Sequence, residues 1–128
     1  MPATYFISPF QPPTWSGKTD LYLDIDEYIS KLSNAWGNSK TTINLASETY
    51  VASWEIPTGD GNYITGGLQK EQEVVSCAGS PKQVATFAIW HRQNIPRNIR
   101  LFLFDESLYV NMELKANTTL EEIIQRIR

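Results

Sequence analysis

The four residues Ser80-Pro81-Lys82-Gln83 constrain this chain more than any others. Ser80 can accept a hydrogen bond from the first turn of a helix. Pro81 has the fixed φ that suits the first helical position, and Gln83 can reach back to the serine N–H, so together they write a helix start. The apolar run Val84 to Trp90 follows and Pro96 stops it, because proline lacks the N–H a helix interior needs. Two more helices are punctuated in the same way. Asp24 precedes Ile25 with Glu27 at the capping-box position. Ile25, Tyr28, Ile29, Leu32, Ala35 and Trp36 then recur at helical spacing until Gly37. Thr118 or Thr119 caps a last helix whose buried face is Leu120, Ile123, Ile124 and Ile127.

Strand-like runs lie between these helices. Tyr5–Phe10 and Thr41–Leu45 read as short strands. Tyr50, Ala52, Trp54 and Ile56 alternate with Val51, Ser53 and Glu55, the period of a half-buried strand. Asp60-Gly61 predicts a tight hairpin turn, because both residues tolerate positive φ. The chain returns through Tyr63–Thr65, Gly66-Gly67 is expected to break or bulge it, and an extended segment continues from Leu68 to Cys77. The polar run Gln69-Lys70-Glu71-Gln72-Glu73 makes one end of that segment an expected exposed edge. Ile99–Phe104 is apolar on both faces, which places it centrally in a sheet. Leu108, Val110, Met112 and Leu114 alternate after it. Residues 9–17 hold three prolines and a glycine and read as a loop or polyproline-like arm, with Trp15 folded back onto the domain. The expected fold is α+β, a single domain over residues 1–128. It has a mostly antiparallel sheet of about five to six strands, with two to three helices packed mainly on one face.

A chain of 128 residues can hold a core without metals or cross-links. Its single cysteine, Cys77, excludes an intramolecular disulfide and a thiolate zinc cluster. The first five residues lack the basic and apolar regions of a secretory leader, and no run approaches the apolar length of a membrane span. The expectation is a cytoplasmic protein with no membrane partner and no cofactor.

The residue types able to carry chemistry are few. His91, the only histidine, falls near Val84, Phe87, Ala88 and Ile95 on the helical wheel and is expected to be buried and hydrogen-bonded. Cys77 lies just before a helix start, where a thiol can be activated. His91, however, is about three turns along the helix and too far to pair with it. Asp20, Asp24, Asp26 and Glu27 cluster without the spacing of a calcium loop and suit a helix start instead. Neither Gly59-Asp60-Gly61 nor Gly66-Gly67 opens a helix, so neither is a phosphate loop. No catalytic residue and no metal ligand is assigned.

Charge is the one uneven property. From Glu73 to Asp105 there is no acid and there are four bases, Lys82, Arg92, Arg97 and Arg100. The whole chain carries −3, so with +4 in this segment the remainder carries −7. Arg92, Arg97 and Arg100, with His91 beside them, are the candidate residues for an anion or an acidic partner, since guanidinium suits planar anions. Pairing with the surplus carboxylates is their ordinary alternative. A net-acidic chain is a poor non-specific nucleic-acid binder. The expected function is therefore non-catalytic: a small interaction protein of the inhibitor, immunity-type or accessory kind, with a protein partner and with homo-oligomerisation left open. The alternative is a small-anion or nucleotide-binding domain, or an enzyme, working through Arg92, Arg97, Arg100 and His91.

Overall fold

The computed structural model describes residues 3–12, 14 and 17–127. It contains β1 (Thr4–Ser8), α1 (Ile25–Ala35), β2 (Lys40–Ile43), β3 (Tyr50–Pro57), β4 (Tyr63–Gln69), β5 (Val75–Ala78), α2 (Pro81–Gln93), β6 (Leu101–Asp105), β7 (Asn111–Leu114) and α3 (Leu120–Ile127). The seven strands form one sheet in the order β2-β3-β4-β5-β1-β6-β7, and every neighbouring pair is antiparallel. The class is α+β, with seven strands where the sequence suggests five or six. The extra strand comes from the segment expected to run extended from Leu68 to Cys77. It folds instead as the end of β4, a turn and β5.

The polar run 69–73 is consequently the last residue of β4 and the turn into β5, and not an exposed edge. Gln72 takes a φ of 62° there. It is held by reciprocal contacts with the distant Leu23: Leu23 N donates to the Gln72 carbonyl at 2.8 Å, and Gln72 Nε2 donates to the Leu23 carbonyl at 2.8 Å. β5 lies in the sheet interior, between β4 and β1. Gly66 and Gly67 do not interrupt β4. Gly66 pairs with both Trp54 and Cys77. A Cβ at Gly66 would overlap the Ser76 carbonyl oxygen and sit 2.7 Å from Trp54 Nε1. Glycine is needed there because the indole lies against the backbone.

The helices start where their caps place them. Asp24 accepts from Glu27 N at 3.0 Å, Ser80 and Gln83 form a reciprocal capping box, and Thr119 and Glu122 form another. Strand alternation then sorts the sheet residues. Tyr5, Ile7, Ala52, Trp54, Ile56, Ile64, Leu68, Val75, Cys77, Leu101, Leu103 and Leu114 share one face. They form a single core with Tyr28 and Leu32 of α1, Val84, Phe87 and Ala88 of α2, and Ile123 of α3. All three helices therefore cover the same side. A smaller cluster of Phe6, Val74, Phe102 and Phe104 is buried on the opposite side. β6 is one strand in from the sheet edge, between β1 and β7. Both of its faces are buried, as its continuous apolar run requires. The proposed fold-back of Trp15 lies outside the described residues. No helix among the described residues is long and apolar enough to cross a membrane.

Candidate interaction surface

The structure gives the four residues that the sequence groups together different environments, although Arg92 and Arg100 both act electrostatically on Glu113. His91 is fully buried, with Nδ1 hydrogen-bonded to the Tyr28 hydroxyl at 2.8 Å and the ring stacked on Phe87. Burial, with the charge of the neighbouring Arg92 as a smaller cause, pulls its pKa down to about 3, so the imidazole is neutral. Arg92 is also buried. Its Nη1 donates to the carbonyls of Ile99 and Leu114, and its Nη2 to those of Ile95 and Pro96. It thus satisfies the backbone acceptors where α2 gives way to β6. Arg100 is at the surface, bidentate to Glu113 at 2.9 and 3.2 Å and lying 5.0 Å over the Phe102 ring. Arg97 is exposed, with no ion pair among the described residues. Cys77 is buried, and desolvation raises its thiol far above the usual range. Of the acidic cluster, Asp24 caps α1 and Glu27 pairs with Lys31 at 3.1 Å.

Other features of the surface follow from the sheet order. Two strands have a free edge, and the two edges differ. In β7, the bond from Asp105 N to the Val110 carbonyl fixes which positions are hydrogen-bonded to β6. Asn111 and Glu113 point their N–H and C=O groups outward by the antiparallel alternation. Arg126 of α3 reaches that edge and donates to the Asn111 carbonyl at 3.1 Å. In β2, the bond from Asn44 N to the Val51 carbonyl sets the same alternation. Thr41 and Ile43 therefore send their N–H and C=O groups away from β3. Among the described residues no side chain reaches them, and all four residues of β2 are exposed. Ile43 is 46% and the following Leu45 72% exposed.

A cleft of about 520 Å³ lies between the ends of α1 and α2 and the β3–β4 hairpin. Trp36, Asn38, Thr58, Asp60 and Gln83 line it. Trp36 is held by stacking on Phe87 and an edge contact with Trp90. Asn38 Nδ2 donates to the Pro57 carbonyl, and Gln83 Nε2 donates to Thr58 Oγ1. Hydrogen bonds from Thr58 and Asn62 hold the Asp60 carboxyl below its usual pKa. The wall carries aromatic, amide, hydroxyl and carboxylate groups. Sequence reasoning missed this surface because strand order decides which edge is free. The only local signal was the exposed pair Ile43 and Leu45 around a short strand.

Comparison with protein-family models, with curated proteins and with solved structures finds no match for this chain.

Proposed function

We propose that this protein is a non-catalytic interaction module, of the inhibitor, immunity-type or accessory kind, that captures an extended segment of a partner protein along the β2 edge. The observation that carries the reading is the asymmetry of the two edges. Arg126 of α3 covers one outward carbonyl of β7, that of Asn111, whereas among the described residues no side chain bonds the outward groups of the exposed Thr41 and Ile43. Strand addition draws its affinity from such main-chain groups and its specificity from adjoining pockets. The nearest cleft, that of Trp36, is reached through Asn38 in the turn before β2. The strand is short and begins with Lys40, devices that limit indiscriminate edge pairing. Of the candidate arginines, Arg92 is committed to four backbone carbonyls and Arg100 to Glu113, which weakens the anion-binding reading and leaves Arg97 alone to it.

A proline at position 41 is the direct test. It removes an outward N–H that makes no bond to β3, a place where an edge strand tolerates proline. Protein captured from native extract by the tagged chain is quantified against the Thr41→Pro variant, with circular dichroism confirming the fold of both. A partner retained by the wild-type chain and lost by the variant is the expected result. Equal capture by both removes the β2 reading.

A further inference from the structure

The cleft lined by Trp36 has walls that long-range hydrogen bonds tie together. Gln83 Nε2 of α2 donates to Thr58 Oγ1 of the β3–β4 hairpin at 3.0 Å, and Asn38 Nδ2 donates to the Pro57 carbonyl at 3.3 Å. Thr58 Oγ1 donates to Asp60 Oδ1, which also accepts from Asn62 N at 3.1 Å. These bonds hold Asp60 as the carboxylate. An ionised carboxylate offers about four acceptor sites, so it keeps acceptor capacity for a ligand. Asn38 keeps its amide oxygen, since its bond to Pro57 uses only the nitrogen. Trp36 stacks on Phe87 and meets Trp90 edge-on, which fixes the ring, and it stays half-exposed where it lines the cleft.

Charge and capping decide what such a cleft can take. Among the described lining residues Asp60 is the one acid and Lys82 the one base. Lys82 makes no ion pair among the described residues. The lining is therefore neutral in sum and offers both a charged acceptor and a charged donor. The start of α2 is a poor anion site. Pro81 has no N–H, Ser80 N is taken by Gln83 Oε1, and Gln83 N by Ser80 Oγ. An organic cation drawn to Trp36 and Asp60 would be repelled by Lys82. The lining suits a neutral molecule with an apolar face and several hydroxyls. A sugar ring is such a molecule. Its C–H groups form an apolar face, and each hydroxyl donates one proton and accepts through two lone pairs.

We infer that the Trp36 cleft is a binding site for a neutral saccharide, whose ring lies on the Trp36 indole and whose hydroxyls are held by Asp60, Lys82 and Asn38. Its volume of about 520 Å³ falls within the range of small-molecule sites. The bonds across its walls set the polar groups in place before the ligand arrives, which lowers the entropy lost on binding. The site goes beyond strand capture and does not rest on it, since no residue of β2 is among those that line the cleft.

The test titrates the intact, isotope-labelled chain with the methyl glycosides of glucose, galactose, mannose, N-acetylglucosamine, xylose and fucose. Each is taken to about 50 mM, well above the dissociation constant of about 1 mM expected for a ligand of this size. Amide and indole N–H spectra report the site. For at least one sugar, the Trp36 indole signal and the amides of Asn38, Thr58, Asp60 and Gln83 should move together and saturate. The indole signal of the core residue Trp54 should stay in place. Glycine, tetramethylammonium and inorganic phosphate, as zwitterion, cation and anion, should move these signals less than the sugar does. Asp60→Asn keeps the shape of the side chain and removes its charge. It should weaken the sugar about fivefold or more, because a charged acceptor bonds a hydroxyl more strongly than a neutral one, with circular dichroism confirming its fold. Thr41→Pro should bind the sugar as the wild type does, so strand capture and sugar binding stand or fall separately. The saccharide site is overturned if no sugar moves the cleft signals, or if a charged probe moves them more. It is overturned equally if folded Asp60→Asn binds as tightly as wild type, or if folded Thr41→Pro loses the sugar.

Discussion

The Tyr28 hydroxyl meets His91 Nδ1 at 2.8 Å, and this bond joins α1 to α2 through the interior of the aromatic core. Tyr28 also packs against Trp54 and Trp90, with ring centroids at 5.6 and 5.5 Å. His91 Nε2 has no hydrogen-bond partner among the described residues. Tyr28→Phe would keep the packing and strip the imidazole of the bond at its other nitrogen. The expected loss is about 1–3 kcal/mol, the cost of an unsatisfied buried polar group. Urea denaturation of the two proteins measures it, and an unchanged midpoint would show that the bond contributes nothing net.

The same histidine sets a pH dependence. Its folded pKa is about 3, against about 6.5 in an unfolded chain. Below about pH 6.5 the unfolded state takes up a proton that the folded state refuses. Stability from this group is therefore full above about pH 6.5 and falls steadily as the pH drops toward 3, by about 1.4 kcal/mol per unit for one proton. Between about pH 7 and pH 5 the loss should approach 2 kcal/mol. Urea melts across that interval show it, and a His91→Leu variant should have a shallower slope.

Gly66 offers a test of backbone approach. Gly66→Ala sets a methyl group against the Ser76 carbonyl and Trp54 Nε1, and overpacking of this kind costs about 1–3 kcal/mol. Gly37→Ala is the control, because nothing lies within 4 Å of a Cβ there. Equal stability of the two variants would mean that the Trp54 indole shifts without cost.

Trp54 itself is 2% exposed and stacks on Phe87 at 5.8 Å. Trp54→Ala should cost about 3–5 kcal/mol in lost transfer energy and cavity formation. A denaturant titration giving less than about 1 kcal/mol would place the ring outside the cooperative core.

Arg92 and Arg100 should respond oppositely to neutral substitution. Arg92→Met leaves four backbone carbonyls without their donor and should cost at least about 2 kcal/mol. Arg100→Gln removes a solvent-exposed pair with Glu113, and its melting temperature should stay close to that of the wild type. Thermal melts in parallel decide between them.

What was legible in the sequence was local. Ser80 and Gln83 satisfy each other across three residues, as do Asp24 and the first turn of α1, so the helix starts could be read without knowing the rest of the fold. Strand alternation through Tyr50–Ile56 likewise needs only one strand. Gln72 was not legible, because its turn is held by Leu23, 49 positions away. Nor was the role of Arg92: its four acceptors are backbone carbonyls, which have no sequence signature, and one of them, that of Leu114, arrives only with β7. Gly66 read as a break because glycine signals both a bend and a close approach, and only the position of Trp54 across β3 separates them.

β1 sits between β5 and β6, hydrogen-bonded to each over four residues. The five-residue segment Thr4–Ser8 is therefore the seam that joins β2–β5 to β6–β7. Its partners lie about seventy and a hundred positions further along the chain. During synthesis the two halves stay unjoined until Leu101–Asp105 has emerged, long after β1 itself. The β2–β5 meander is the unit able to order early, and completion of the sheet is the late, long-range step, with the loop-closure entropy that such topology carries.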